Sequence, residues 1–115
     1  MLTEKDYCDY ETCVALEELG FPIRRIIVKG EEKHVPILLY EAQKWLREEK
    51  KIGVFVSGFK NGYTFWVYNL LIGYILYQGF FDNQTGEKYK SYEEALSEGV
   101  RTSIKILQDE QKENN

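Results

Sequence analysis

His34, Cys8 and Cys13 are the residues whose types come closest to a catalytic or metal-binding set, and their spacing decides against one. A Ser–His or Cys–His nucleophile pair would have to use His34, the single histidine, which stands before Val35-Pro36 beside an expected turn. A solvated turn histidine accounts for it. The two cysteines lie five positions apart, outside the spacing of about two to four residues that structural zinc sites use, and one distant histidine leaves the set incomplete. Across a helix start they are also too far apart for an unstrained disulfide. The oxygen-rich run Asp82-Asn83-Gln84-Thr85-Gly86-Glu87 does not follow the order of a calcium loop and reads as a turn between a strand and a helix. No glycine-rich loop joins a strand to a helix, so neither nucleotide fingerprint is present. An enzyme assembled from scattered Asp and Glu has no spacing to support it. The sequence therefore predicts no catalytic residue, no metal and no cofactor.

Arg24, Arg25, Lys29 and Lys33 form the one basic cluster, on a single expected hairpin, where they could hold an anion. The plainer reading is a charged strand edge that resists edge-to-edge pairing. The net charge of −4 argues against general binding to a phosphate backbone, and Glu4, Asp6, Asp9, Glu11, Glu17 and Glu18 against Lys5 leave residues 1 to 20 at −5. The amino-terminal "MLTEKDYCDY" lacks the basic segment and apolar run of a secretory signal, which predicts a cytoplasmic protein.

These residues need a scaffold, and 115 residues suffice for one domain with its own core, spanning 1 to 115, with 109 to 115 a frayed polar tail. Asp9 stands as the N-cap of a helix to about Leu19, stopped by Gly20. Residues 23 to 28 read as a strand, Lys29 to Glu32 as a turn, and Lys33 to Pro36 as a weak return arm. In "LLYEAQKWLREEKK", Leu38, Leu39, Ala42, Trp45 and Leu46 follow helical spacing, which predicts Trp45 in the core facing the sheet. Lys60-Asn61-Gly62 is the strongest hairpin signal; strands follow at about 52 to 58, 63 to 69 and 71 to 78. Ser91 and Glu94 mark a capping box that opens a final helix. The fold class is α+β: an antiparallel sheet, made of a three-stranded meander plus one or two N-terminal strands, packed against about three helices.

The stretch "GYTFWVYNLLIGYILYQGFF" holds much of the aromatic mass, yet its glycines, Asn69 and Gln78 break it into pieces too short for the roughly 20 residues of a spanning helix. No membrane segment is expected. Its pleat puts Tyr63, Phe65 and Val67 on one side and Thr64, Trp66 and Tyr68 on the other, with Leu71, Gly73, Ile75 and Tyr77 alternating with Ile72, Tyr74 and Leu76. Both sides are apolar. Either helices cover both faces or one face meets another molecule, and Trp66, Tyr68 and Tyr74 are the residues assigned to a partner.

Taken together, "DYETCVALEELGF", "YEAQKWLREEK" and "KYKSYEEALSEGVRTSIKIL" resemble a family of small uncharacterised proteins encoded by gut bacteria and their phages or mobile elements. The resemblance spans nearly the whole chain and rests on architectural motifs; it implies a phage or mobile-element origin and no specific activity. The order of helix, three strands and helix from Tyr40 onward is similar to a double-stranded-RNA-binding domain, but Ser91, Glu93, Glu94 and Glu98 stand where that family opens its last helix with lysines. The meander followed by Tyr-Glu-Glu-Ala also resembles small antitoxins of bacterial toxin pairs. The reading reached is a non-enzymatic protein-interaction module, a homodimer or a binder of another protein. The alternative is a nucleic-acid-associated or antitoxin-like regulator using the basic hairpin.

Overall fold

The computed structural model describes residues 2 to 60, 62 to 78 and 89 to 113. Helix α1 (Tyr10–Glu18) begins where the Asp9 carboxylate accepts the Thr12 N–H at 2.8 Å. It ends in a Schellman turn: the Phe21 N–H donates to the Leu16 carbonyl at 2.9 Å, the Gly20 N–H to the Glu17 carbonyl at 3.1 Å, and Gly20 has φ +116°. Both ends are as the sequence predicts.

Strands β1 (Arg25–Val28) and β2 (Glu31–His34) pair antiparallel as a separate two-stranded sheet. Lys29 (φ +53°) and Gly30 (φ +79°) form a type I′ turn, whose twist suits a tight hairpin. The turn thus takes two residues rather than four, and Glu31 and Glu32, expected in the turn, become strand. The return arm ends at His34 instead of running on to Pro36.

Helix α2 (Leu39–Glu49) starts with the Glu41 carboxylate accepting the Leu38 N–H at 3.1 Å and stops before Lys51, at φ +57°. Leu39, Ala42 and Leu46 are its buried face. Trp45 packs against the core as the sequence predicts but is half-buried at its margin, where its ring meets Phe21 edge-on at 5.6 Å. With 3.6 residues per turn, the centre of the apolar stripe falls on Ala42 and Leu46, and Trp45 is left on the flank beside the chain leaving α1.

Strands β3 (Ile52–Phe59), β4 (Gly62–Asn69) and β5 (Tyr74–Gln78) form the expected antiparallel meander in that order. The last strand starts three residues later than predicted. Asn69 turns the chain instead: its Oδ1 accepts the Leu71 N–H at 3.0 Å and its carbonyl the Gly73 N–H at 2.8 Å, with Gly73 at φ +67°. A bulge then breaks the pleat, because Val67 pairs with Tyr77 and Tyr68 with Ile75, leaving Leu76 extra. Ile75 and Tyr77, predicted on one face, therefore lie on opposite faces. Asn61 of the expected hairpin turn and the turn at 82 to 87 lie outside the described residues.

Helix α3 (Tyr92–Glu113) opens with the Glu94 N–H donating to Ser91 Oγ at 3.1 Å, while Glu94 accepts the Lys90 N–H at 3.2 Å, one residue before the position a standard capping box uses. Residues 109 to 113, assigned to a tail, carry helical backbone and are exposed. The helix crosses β3 and β4 at Gly99, where a Cβ would lie 2.5 Å from Val54 Cγ1 and 3.2 Å from Phe65 Cδ2. Only a glycine lets the helix come this close. Leu96, Val100 and Ile104 of α3 join Leu16, Ile37, Leu39, Ala42, Leu46 and Val54 in one core; Ile52, Phe65 and Val67 form a second cluster beneath Ile106 and Leu107. Among the described residues three α-helices and two antiparallel sheets make the chain an α+β protein. Among the described residues no helix is long and apolar enough to cross a membrane.

Candidate functional site

The face of the three-stranded sheet opposite Phe65 and Val67 carries exposed aromatic and aliphatic side chains, Phe55 and Ile75 among them. Strand register places Phe55 across from Trp66 and Gly53 across from Tyr68, so these residues share that face. Phe55 is 48% exposed and meets the Tyr68 ring edge-on at 5.3 Å; Trp66 and Tyr68 are half-buried. Gly53 has no side chain to separate its neighbours: a Cβ there would lie 2.7 Å from the Phe55 ring and 2.9 Å from Leu70 Cδ2. Phe55 and Leu70 thus fold together over the backbone of Gly53. Ile75, across from Tyr68, extends the patch, and the turn adds Leu71 and Ile72, 75% and 71% exposed. At the other end Thr64 is fully buried, and its Oγ1 has no hydrogen-bond partner among the described residues.

Of the residues assigned to a partner, Trp66 and Tyr68 come together here. Tyr74 does not. It pairs with Asn69 and so belongs to the pleat side of Phe65 and Val67, where it is exposed at the sheet's end. Phe55, Leu70, Leu71, Ile72 and Ile75 border Trp66 and Tyr68 and are not among the residues the sequence singles out. For Leu71 and Ile72 the sequence holds a signal against the strand expected at 71 to 78: Asn69 and Gly73 bracket the apolar run, which is a turn's punctuation.

The basic cluster is largely engaged within the molecule. Arg24 grips Glu41 of α2 with two guanidinium bonds, at 2.9 and 3.2 Å, and donates to the Pro36 carbonyl at 3.1 Å. Arg25 lies 3.3 Å from Glu32 and Lys33 2.9 Å from Glu31, while Lys29 occupies the turn. His34, read as a solvated turn residue, is half-buried in strand β2, with Nε2 2.5 Å from the Glu17 carboxylate of α1. These contacts hold the base of the hairpin onto the two helices.

A cleft of about 770 Å³ opens between the N-terminal segment and the start of α3, lined among others by Glu4, Asp9, Glu93, Glu94, Glu98 and Arg101. Arg101 lies between Asp9 (2.6 Å) and Glu98 (2.5 Å), so these acids are tied to a structural cation. The Asp9 carboxyl titrates below its ordinary range first because of its bonds to Thr12, with Arg101 adding to them; this is helix-capping chemistry. Cys8 and Cys13 are both buried free thiols. Burial, with Cys13 close by, pushes the Cys8 thiol up to about 12, far from the reactive thiolate range. Among the described residues no cluster of three or more His, Cys, Asp or Glu could hold a metal ion. No protein family, curated protein or solved structure matches the chain, so the open sheet face stands on its own geometry.

Proposed function

We propose that the chain is a non-enzymatic protein-interaction module that associates with a second copy of itself through the outer sheet face of Phe55, Trp66, Tyr68, Leu70 and Ile75. One observation carries this reading: residues 52 to 59 and 62 to 78 hold no charged side chain, and they nevertheless present exposed Phe55, Leu71, Ile72 and Ile75. Contiguous apolar surface of this kind marks association sites in proteins that otherwise fold stably. Without charge the face selects no oppositely charged partner, and it can meet its own copy without like-charge repulsion. The basic hairpin supports the nucleic-acid alternative less well, since Arg24, Arg25 and Lys33 already have acidic neighbours.

Light scattering across a concentration series tests the proposal. The parent chain should exceed its monomer mass, and Phe55→Glu with Leu71→Glu should return it toward the monomer with an unchanged circular dichroism spectrum. A parent chain that stays monomeric at high concentration removes the self-association reading and leaves the face to a different protein.

A further inference from the structure

Strand β1 has one edge paired to β2, and its other edge is unpaired among the described residues. Every residue of β1 is exposed, including Ile26 at 52%, Ile27 at 78% and Val28 at 43%. Hydrophobic strand formers on a free edge are what folded proteins normally avoid, by charge, proline or a cover. Strand β2 follows that rule with Glu31, Glu32, Lys33 and His34; β1 carries one charge, Arg25, which pairs with Glu32 of its own hairpin, ahead of the aliphatic run Ile26 to Val28.

The hydrogen-bond phase of the hairpin shows what the free edge offers. The Val35 N–H donates to the Arg24 carbonyl at 3.1 Å, and the register places Arg25 opposite His34, so Arg24 and Val35 are a hydrogen-bonded pair. Because such pairs alternate along an antiparallel ladder, Ile26 and Val28 turn their backbone groups toward β2. Arg25 and Ile27 turn theirs outward.

We propose that β1 pairs antiparallel with β1 of a second copy, with Ile26 on the two-fold axis, so that two hairpins join into one continuous sheet. Three registers would bring outward groups face to face. Placing Arg25 opposite Arg25 sets like charges against each other, and placing Ile27 opposite Ile27 sets Arg25 against Lys29 of the other copy. The third sets Arg25 opposite Ile27 and Ile27 opposite Arg25. It satisfies every outward N–H and C=O of the two residues, stacks Ile26 against itself, and leaves Arg24 facing Val28 and Lys29 facing Ile23. Like charges directly opposite each other in a sheet destabilise it, whereas aliphatic pairs stabilise it. Each Arg25 also keeps Glu32 beside it on its own hairpin. A lone two-stranded hairpin is marginal in water, and this pairing turns it into the centre of a larger sheet.

This contact does not depend on the outer face of the meander, and cysteine cross-linking distinguishes the two. At the axis Ile26 meets its copy as a non-hydrogen-bonded pair with Cα atoms about 4.5 Å apart, within the range a disulfide spans. Under mild oxidation Ile26→Cys should form a covalent dimer about tenfold faster than Ile27→Cys or Ile23→Cys, whose partners in this register are Arg25 and Lys29. The native thiols are buried and should not compete. The cross-link should persist when Phe55→Glu and Leu71→Glu are added, whatever becomes of the sheet-face contact. A second variant, Ile26→Lys, sets like charges on the axis and should lower the mass by light scattering without loss of fold, because Ile26 is exposed in the single chain. Equal cross-linking rates at the three positions, or an Ile26→Lys chain with the parent's mass, would overturn the β1 pairing.

Discussion

The two faces of the β3–β4–β5 sheet are built from similar residues and meet different fates. Phe65 and Val67 lie under α3 with almost no exposure, while Phe55, one strand over and on the opposite pleat, is half in water. Composition does not separate them, since Phe stands on both sides. What differs is the neighbour: Gly99 lets α3 settle onto Val54 and Phe65, whereas on the other face Gly53 lets Phe55 and Leu70 close over bare backbone. A glycine on each face thus does opposite things, admitting a helix on one and gathering an exposed patch on the other.

The comparison can be broken most sharply at the paired phenylalanines. Phe65→Ala should cost about 3 to 5 kcal/mol in a denaturant titration, because it removes a fully buried ring stacked on Tyr77 at 5.4 Å. Phe55→Ala should cost about 1 kcal/mol or less, since the ring is half exposed. Similar losses at the two sites would mean that the outer face is as much core as the inner. Next in size is Gly99→Ala, which should destabilise by about 1 to 3 kcal/mol even though alanine favours a helix, because the new methyl meets buried Val54 and Phe65. Thermal melts would show it, and a rise in midpoint would mean that α3 can move off the sheet at no cost.

On the helical side, Asp9→Ala should cost about 1 kcal/mol through the lost cap. The Asp9 pKa is lowered on folding, so its contribution is full above the ordinary value of 3.8 and disappears as pH falls through the lower folded value. The variant should accordingly lose less stability than the parent between neutral pH and acid below 3.8, as acid titrations followed by circular dichroism would reveal. The smallest stability effect is expected at Leu71→Glu, within about 0.5 kcal/mol of the parent, because the side chain is exposed in a turn. Its effect should appear in light scattering as a fall in mass, and an unchanged mass would detach the turn from the association surface.

The sequence read well where one local signal controls the backbone. Asp9 and Gly20 mark the ends of α1, Ser91 opens α3, and the meander follows its strand formers, since capping and pairing depend on near neighbours. It read less well where two local signals compete. Leu71 and Ile72 look like strand, but Asn69 and Gly73 bend the backbone first, and the extra Leu76 then reverses the alternation that puts Ile75 with Tyr77. Trp45 has helical spacing and apolar character and packs against the core, but its contact with Phe21 follows the Schellman turn that redirects the chain, which helical spacing does not encode. The candidate surface was half legible: Trp66 and Tyr68 follow from the pleat, whereas Phe55 and Leu70 needed the contact over Gly53, which no linear pattern encodes.

The attachment of the β1–β2 hairpin sets how the molecule opens. Its strands lie in solvent, and its base is fastened by Arg24 to Glu41 and Pro36 and by His34 to Glu17. Glu41 also accepts the Leu38 N–H, so the carboxylate that grips the hairpin starts α2 as well. Few apolar contacts and solvated backbone bonds define a unit that opens at low free energy, well before the core under α3. The amides of Ile26 and Val28 would therefore exchange with solvent by excursions in which only the hairpin lifts away, and that of Val67 only when the whole domain unfolds. The hairpin and the core under α3 would then open as units of unequal stability, joined at the carboxylates of Glu41 and Glu17.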